Sequence, residues 1–343
     1  MGEALVIESP GCIGIRPAAA LLPGPGEVVV RPAHVGVCGT DLELLDGVVD
    51  PAYVKYPLVP GHEWSGVVAA CGPGVSGVSA GDRVIGEGIV PCRVCASCVR
   101  GLTNLCVTYD ELGFTRAGAA ASEVLVPASL LHVLPDSVSL PEAALAEPCA
   151  VAWRGIGRAV PRPGERTAVV GDGTVGLIAA HLLRLFSPAS LVVYGLRAAQ
   201  EELALTLGAT GFSVSFPGSS ASPVLPGGGF DLVVEAAGSP AAVERAFRLV
   251  RRGGRVVLLG LAGSGVNAAF PMDDVVNGDL ALFASFGYTS AAFGEVAGLL
   301  AAGRLRLGPL ITHRFPLASY AEAYEALRSG GSAGPRGKVI LDV

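Results

Sequence analysis

Residues 166–176 read Arg166-Thr167-Ala168-Val169-Val170-Gly171-Asp172-Gly173-Thr174-Val175-Gly176, a short β-type run, a glycine turn and the opening of a helix extending to about Leu185. A bare G-x-G-x-x-G carries little weight in a chain with 48 glycines. Set between a buried strand and a helix it has a physical purpose. Its small residues let backbone N–H groups and the helix N-terminus close on a pyrophosphate. Gly171, Gly173, Thr174, Val175 and Gly176 are therefore candidate dinucleotide contacts. Asp172 is an odd neighbour for an anion, and its side chain is expected to point away. A carboxylate about 20 residues on, at the end of the next strand, would bind the ribose hydroxyls of NAD. Here that position is Gly195, followed by Leu196 and Arg197. Nothing at Gly195 repels a 2′-phosphate and Arg197 can pair with one, which favours NADP over NAD. On this basis Gly195→Asp is expected to reverse the preference.

Downstream, Leu191–Tyr194, Phe230–Glu235 and Gly254–Gly260 read as further strands and Ala198–Leu207 as a helix. Strands alternating with helices define an α/β domain with a doubly wound parallel sheet. The stretch Ser213–Gly229 breaks the rhythm with Pro217, Pro223, Pro226 and Gly227-Gly228-Gly229. Proline and glycine cost a helix interior about 3 and 1 kcal/mol each, so a crossover helix there is expected to be reduced or missing. Leu280–Gly287 is apolar enough to suit a buried edge strand.

Residues 1–150 have a different texture. Short β-type runs such as Val28-Val29-Val30, Gly66-Val67-Val68 and Arg83-Val84-Ile85 are separated by glycine and proline, as in a β-rich domain of the barrel sort. A helix is expected near 142–160, starting at Pro141 and Glu142. Another is expected at Ala318–Arg328, before a final strand Lys338–Leu341.

A length of 343 residues favours two domains. Charged residues make up 16% and apolar ones 51%, a balance that raises the question of a membrane protein. Glycine, proline, serine or a charge interrupts every apolar run before the ~18–20 residues a spanning helix needs. The start, Met1-Gly2-Glu3-Ala4, lacks the pattern of a secretory signal, so a soluble, cytoplasmic chain is expected. A net charge of −6 without Lys/Arg clusters argues against a nucleic-acid partner. Eight cysteines in a chain of this kind point to metal or catalysis rather than to disulfides.

Four of them, Cys92, Cys95, Cys98 and Cys106, follow C-x2-C-x2-C-x7-C. Thiolates so spaced on a turning backbone close a tetrahedral zinc shell with no open position; an iron–sulfur cluster is the rival occupant. Separately, Val37-Cys38-Gly39-Thr40-Asp41 and Pro60-Gly61-His62-Glu63-Trp64 place a thiol, an imidazole and a carboxylate on two glycine-flanked loops. Taken singly, a Cys or a His in such a place is more often structural.

In this order and at these spacings the motifs resemble the zinc-containing medium-chain alcohol dehydrogenases, within them the polyol, threonine and secondary-alcohol branch. Glu111-Leu112-Gly113-Phe114-Thr115-Arg116 adds a less specific likeness to 2-deoxy-scyllo-inosamine dehydrogenases. The resemblance runs from the first strand to Gly337-Lys338-Val339. It implies a GroES-like catalytic domain over 1–150 and 288–343, with a structural zinc lobe at about 90–108, and a Rossmann cofactor domain over 151–287. By position it implies Cys38 and His62 as ligands of a catalytic zinc and Glu63 as a ligand or adjacent carboxylate. Glu147 would be the remaining protein ligand, directly or through water, while Cys149 packs. The implied reaction moves a hydride between a secondary alcohol, polyol or aminocyclitol and NADP(H). It uses two zinc ions per chain and Thr40 as proton relay, in a homodimer or homotetramer. Relatives often carry histidine where this chain has Glu43. The alternatives are an NAD-dependent sorbitol- or threonine-type dehydrogenase, a zinc-free reductase of the same fold, and a non-catalytic zinc-ribbon module. The cysteine lobe counts against the second, the acidic charge and the dinucleotide motif against the third. Trp64 and Tyr288 either line the substrate cleft or pack in the core.

Overall fold

The computed structural model describes residues 2–214, 228–269, 272–329 and 334–343. The chain divides into two compact units, one of Met1–Glu147, Thr289–Ser332 and Lys338–Val343, the other of Pro148–Tyr288 and Ala333–Gly337.

The first unit is built on the long strand Glu27–Val37. Glu63–Cys71 pairs antiparallel with it, followed across the sheet by Arg83–Gly86 and Leu131–Val133. On its other side lies Lys338–Asp342, antiparallel, and beyond that Ile311–Pro316. The C-terminal return is thus a sheet strand, and an apolar Val339-Ile340-Leu341 run explains why it is buried. Val28, Val30, Val35, Trp64, Val84 and Leu341 pack in one core. Trp64, 1% exposed, packs in this core; Tyr288, at the end of the second unit, is buried to the same degree. A Cβ at Gly86 would stand 2.1 Å from the Trp64 ring, so this strand needs glycine there.

The second unit holds a parallel sheet. Among the described residues its order is Gly211–Val214, Ser190–Gly195, Arg166–Val170, Phe230–Glu235, Val250–Leu258 and Ala281–Ala284. Ala168, Val233, Ala246, Phe247 and Val256 form its core on one face. The last strand begins a little earlier than the sequence suggests, at Val250, and its pairing with Phe230–Glu235 shifts register. The polar Arg251-Arg252-Gly253-Gly254 run hid that irregular start. The helix expected over 142–160 is two helices, Leu140–Ala143 and Ala146–Ala159. Pro148 has no N–H to return to the carbonyl one turn earlier, which accounts for the break. Residues 215–227, where the crossover helix is expected to be missing, lie outside the described residues. None of the described helices is long and apolar enough to cross a membrane.

Candidate metal centres and dinucleotide cleft

The four lobe cysteines converge, all ligand sulfurs lying within 4.8 Å of one another. Cys92 Sγ and Cys98 Sγ are 3.9 Å apart. Tetrahedral zinc with Zn–S bonds of about 2.3 Å requires sulfur–sulfur separations of about 3.8 Å, so the set fits that ion. Two backbone N–H groups, of Val94 and Cys95, point at Cys92 and lower its thiol to about 6. At Cys92 the thiolate is thus favoured, whereas burial pushes the Cys98 thiol up to about 12.

A second cluster forms where two strands meet loops. Cys38 follows the strand Glu27–Val37 and caps the helix Gly39–Asp46, and its N–H donates to Asp41 Oδ2 at 2.8 Å. His62 precedes, and Glu63 opens, the strand Glu63–Cys71. Their ligand atoms and that of Cys38 also lie within 4.8 Å. Thr40 Oγ1 is 3.7 Å from Cys38 Sγ. His62 Nδ1 faces the buried Asp41 Oδ1 at 3.9 Å, and neither atom has a hydrogen-bond partner. At that distance the two face each other as an ion pair rather than through a hydrogen bond. Burial alone would strip the His62 proton, yet Cys38 and the carboxylates of Asp41 and Glu147 outweigh it and raise the imidazole pKa. A thiol and carboxylates gathered around one imidazole make a surrounding that suits a cation.

Glu147 sits in the first turn of Ala146–Ala159, buried, outside the group of three whose ligand atoms converge. Burial pushes its carboxyl up to about 8, and the neighbouring Glu63 and Glu111 add to that while His62 opposes it. Cys149, on the same helix, is fully buried. Glu43 is exposed on Gly39–Asp46, a solvated helix residue.

Three members of this site escaped the sequence reading. Lys338, 2% exposed, forms an ion pair with Glu63. Burial alone would lower the Lys338 ammonium, but Glu63, Cys38 and Asp41 hold it above its ordinary value. A lysine heading an apolar strand was the available signal. Gly36 makes room for the pair, since a Cβ there would stand 2.2 Å from Glu63 Oε2 and 2.8 Å from Lys338 Cε. Glu111 accepts from the Tyr109 hydroxyl, and burial raises its carboxyl.

In the second unit, Gly171 has φ +126° and Gly173 caps the helix Thr174–Leu183. A Cβ at Gly176 would meet Gly171 O at 2.1 Å, whereas one at Gly173 would meet nothing within 4 Å. The turn is therefore close-packed behind and open in front, as a phosphate site must be. Val175 is half-buried on this first turn, and the Thr174 hydroxyl donates to Gly337 O at 2.8 Å. A cleft of about 490 Å³ opens beside the turn, lined among others by Asp172, Gly195, Arg197, Arg245 and Arg336. Asp172 does turn from the phosphate turn, but towards the end of Ser190–Gly195. Its Oδ2 accepts from the amides of Leu196 at 3.1 Å and Arg197 at 3.2 Å, and lies 3.8 Å from Arg197 Nε. A Cβ at Gly195 would stand 2.6 Å from that same oxygen. An aspartate placed at Gly195 would therefore meet a carboxylate that is already there.

A phosphate-binding turn in a parallel sheet, a closed four-thiolate lobe and a buried Cys/His/Glu cluster together define a metal-dependent oxidoreductase that uses a dinucleotide. The alcohol dehydrogenase GroES-like domain matches residues 24–136, and the zinc-binding dehydrogenase domain matches 174–302. The chain is 31% identical over 324 residues to a protein of Aspergillus fumigatus named "Probable D-xylulose reductase A", covering 90% of this chain and 88% of that one. It is 33% identical to an L-threonine 3-dehydrogenase of Streptomyces avermitilis, covering 93% and 92%. A zinc-binding dehydrogenase of Sinorhizobium meliloti 1021, solved with NADP, superposes with a TM-score of 0.92 at 30% identity, over 100% and 99% of the chains. This chain belongs to the zinc-dependent medium-chain alcohol dehydrogenase family.

Proposed function

We propose that the chain oxidises a secondary alcohol of a polyol or aminocyclitol, or reduces the matching ketone, with NADP(H) as hydride partner. The observation that carries this reading is the convergence of Cys38, His62 and Glu63 in one unit, in a chain whose other unit has a cleft-forming turn of the cofactor type. Cys38, His62 and Glu147 (directly or through water) would hold the catalytic zinc, with Glu63 as a further ligand or adjacent carboxylate and one position left open for the substrate oxygen; Cys92, Cys95, Cys98 and Cys106 would hold the structural one. Bound there, zinc supplies a Lewis acid that lowers the pKa of the substrate hydroxyl. Asp41 places a negative charge beside His62, and Lys338 balances Glu63. Thr40 Oγ1, 3.7 Å from Cys38 Sγ, takes the substrate proton and hands it to solvent, since Glu43 is exposed and continues no buried path. Gly171, Gly173, Thr174, Val175 and Gly176 close on the pyrophosphate, and Arg197, on the cleft wall just beyond Gly195, pairs with the 2′-phosphate.

A second reading keeps the metal chemistry but uses NAD, and Asp172 favours it by standing where a ribose-binding carboxylate would begin. Against it, Asp172 Oδ2 already serves two amides and Arg197. Rates for a panel of secondary alcohols, polyols and aminocyclitols with each cofactor test both. NADP-linked turnover of a polyol or aminocyclitol is expected. Efficient turnover with NAD alone would replace the first reading by the second, and no turnover with any would remove both.

A further inference from the structure

The nucleotide cleft contains a cation that does not come from the strand–turn–helix motif. Arg336 lies on the segment before the last strand and lines the same cleft as Asp172 and Arg197. Its backbone is clamped by one buried amide. Gln200, 0% exposed, accepts from Arg336 N at 2.6 Å and donates to Arg336 O at 2.7 Å, and also donates to Asp172 O at 2.5 Å. The bond from the Thr174 hydroxyl to Gly337 O, at 2.8 Å, fastens the next residue to the helix start. Four hydrogen bonds therefore fix where Arg336 leaves the chain relative to the glycine turn.

The charges explain why that placement matters. Arg197 is largely answered by Asp172, whose Oδ2 lies 3.8 Å from Arg197 Nε. Arg248 is paired with Glu244, and the Arg245 guanidinium lies over the Tyr194 ring, 5.1 Å from its centre. Arg336 has no ion pair among the described residues. Burial and the nearby Arg197 both press its guanidinium towards losing its proton, with Asp172 opposing them. Arg197 and Arg336 line one cleft with Asp172, and cations gathered so are relieved by an added anion.

We propose that Arg336 is the cation that decides 2′-phosphate recognition in this chain, with Gln200 and Asp172 as the residues that position Arg336 and Arg197 around that phosphate. The inference rests on the NADP reading above and deepens it. Arg197, the residue the local motif singles out, contributes less than its position suggests, because its charge is already matched. Arg336 supplies the unmatched charge, and a guanidinium can meet a phosphate through two parallel N–H bonds.

The test uses the full zinc-loaded chain and two fragments that cannot undergo hydride transfer, adenosine 2′,5′-bisphosphate and 5′-AMP. Their dissociation constants are measured by calorimetry for wild type, Arg336→Ala and Arg336→Lys. Wild type is expected to prefer the bisphosphate at least tenfold. Arg336→Ala should weaken the bisphosphate about tenfold or more and 5′-AMP less than about threefold, with a shallower salt dependence. Arg336→Lys should recover part of the loss, because it restores charge without the bidentate geometry. If wild type prefers the bisphosphate and Arg336→Ala keeps the same ratio, the role of Arg336 is overturned while the NADP reading stands. If wild type does not distinguish the two fragments, the NADP reading falls and takes this inference with it.

Discussion

Glu63 and Lys338 form an ion pair in which neither side chain is more than 3% exposed. Removing one partner of such a pair typically costs about 3–5 kcal/mol, because the other charge stays buried. Zinc beside Glu63 answers part of that charge, so Lys338→Met is expected to cost about 3 kcal/mol in the zinc-loaded protein, read from urea unfolding midpoints. An unchanged midpoint would show that Lys338 is not what balances Glu63. Cys38→Ala and His62→Ala should act differently. They remove ligands of the open site, so turnover should disappear while folding and nucleotide binding persist, with His62→Ala also costing stability because buried Asp41 loses its partner; wild-type activity in either would refute the metal mechanism. At Gly195 the outcome depends on Asp172. Gly195→Asp alone crowds two carboxylates into one space and should weaken binding of both nucleotides. Gly195→Asp combined with Asp172→Gly clears the space and should favour NAD. A clean reversal by the single change would mean that Asp172 moves aside freely.

Elements differ in how visible they were before the structure. The cysteine lobe and the glycine turn were legible because their geometry is local: ligand spacing within fifteen residues, or a turn between one strand and one helix. Cys98→Ser tests the lobe as an element. Bound zinc should fall from about two ions per chain to about one, and thermal stability should fall by several degrees. Turnover by the protein still folded should stay within about threefold of wild type. Zinc content that stays at two would show that the lobe is not a zinc site. Less legible were features that depend on register between distant segments. Gly36 pairs with Glu63 on one side and Ile340 on the other, and only that pairing brings Lys338 to the metal cluster. Gln200 looked like an ordinary helix residue, and its clamp on Arg336 spans 136 positions. The break before Pro148 was readable in principle, since a missing N–H is written in the residue type.

For the whole molecule, the sequence carries the alternation that separates a β-rich unit from a doubly wound one, but not what meets the end of the second sheet. Ala281–Ala284 is the outer strand there, pairing only with Val250–Leu258 among the described residues. Leu282 is 39% exposed and Phe286, just beyond the strand, 51%. An open edge offers unpaired N–H and C=O groups, and natural proteins usually charge, twist or cover it. This one carries apolar side chains and no charge from Leu280 to Gly287. A second copy of the same edge, related by a two-fold axis, would satisfy both the backbone and the exposed apolar surface through one self-complementary contact. The chain is therefore expected to be a homo-oligomer joined at this strand. Light scattering at micromolar concentration should give a mass of at least twice that of the chain. Leu282→Lys with Phe286→Lys should shift that mass towards the monomer without reducing bound zinc, because neither residue belongs to a metal cluster. A wild-type monomer under those conditions would overturn the expectation, and an unchanged oligomer in the double variant would place the contact elsewhere.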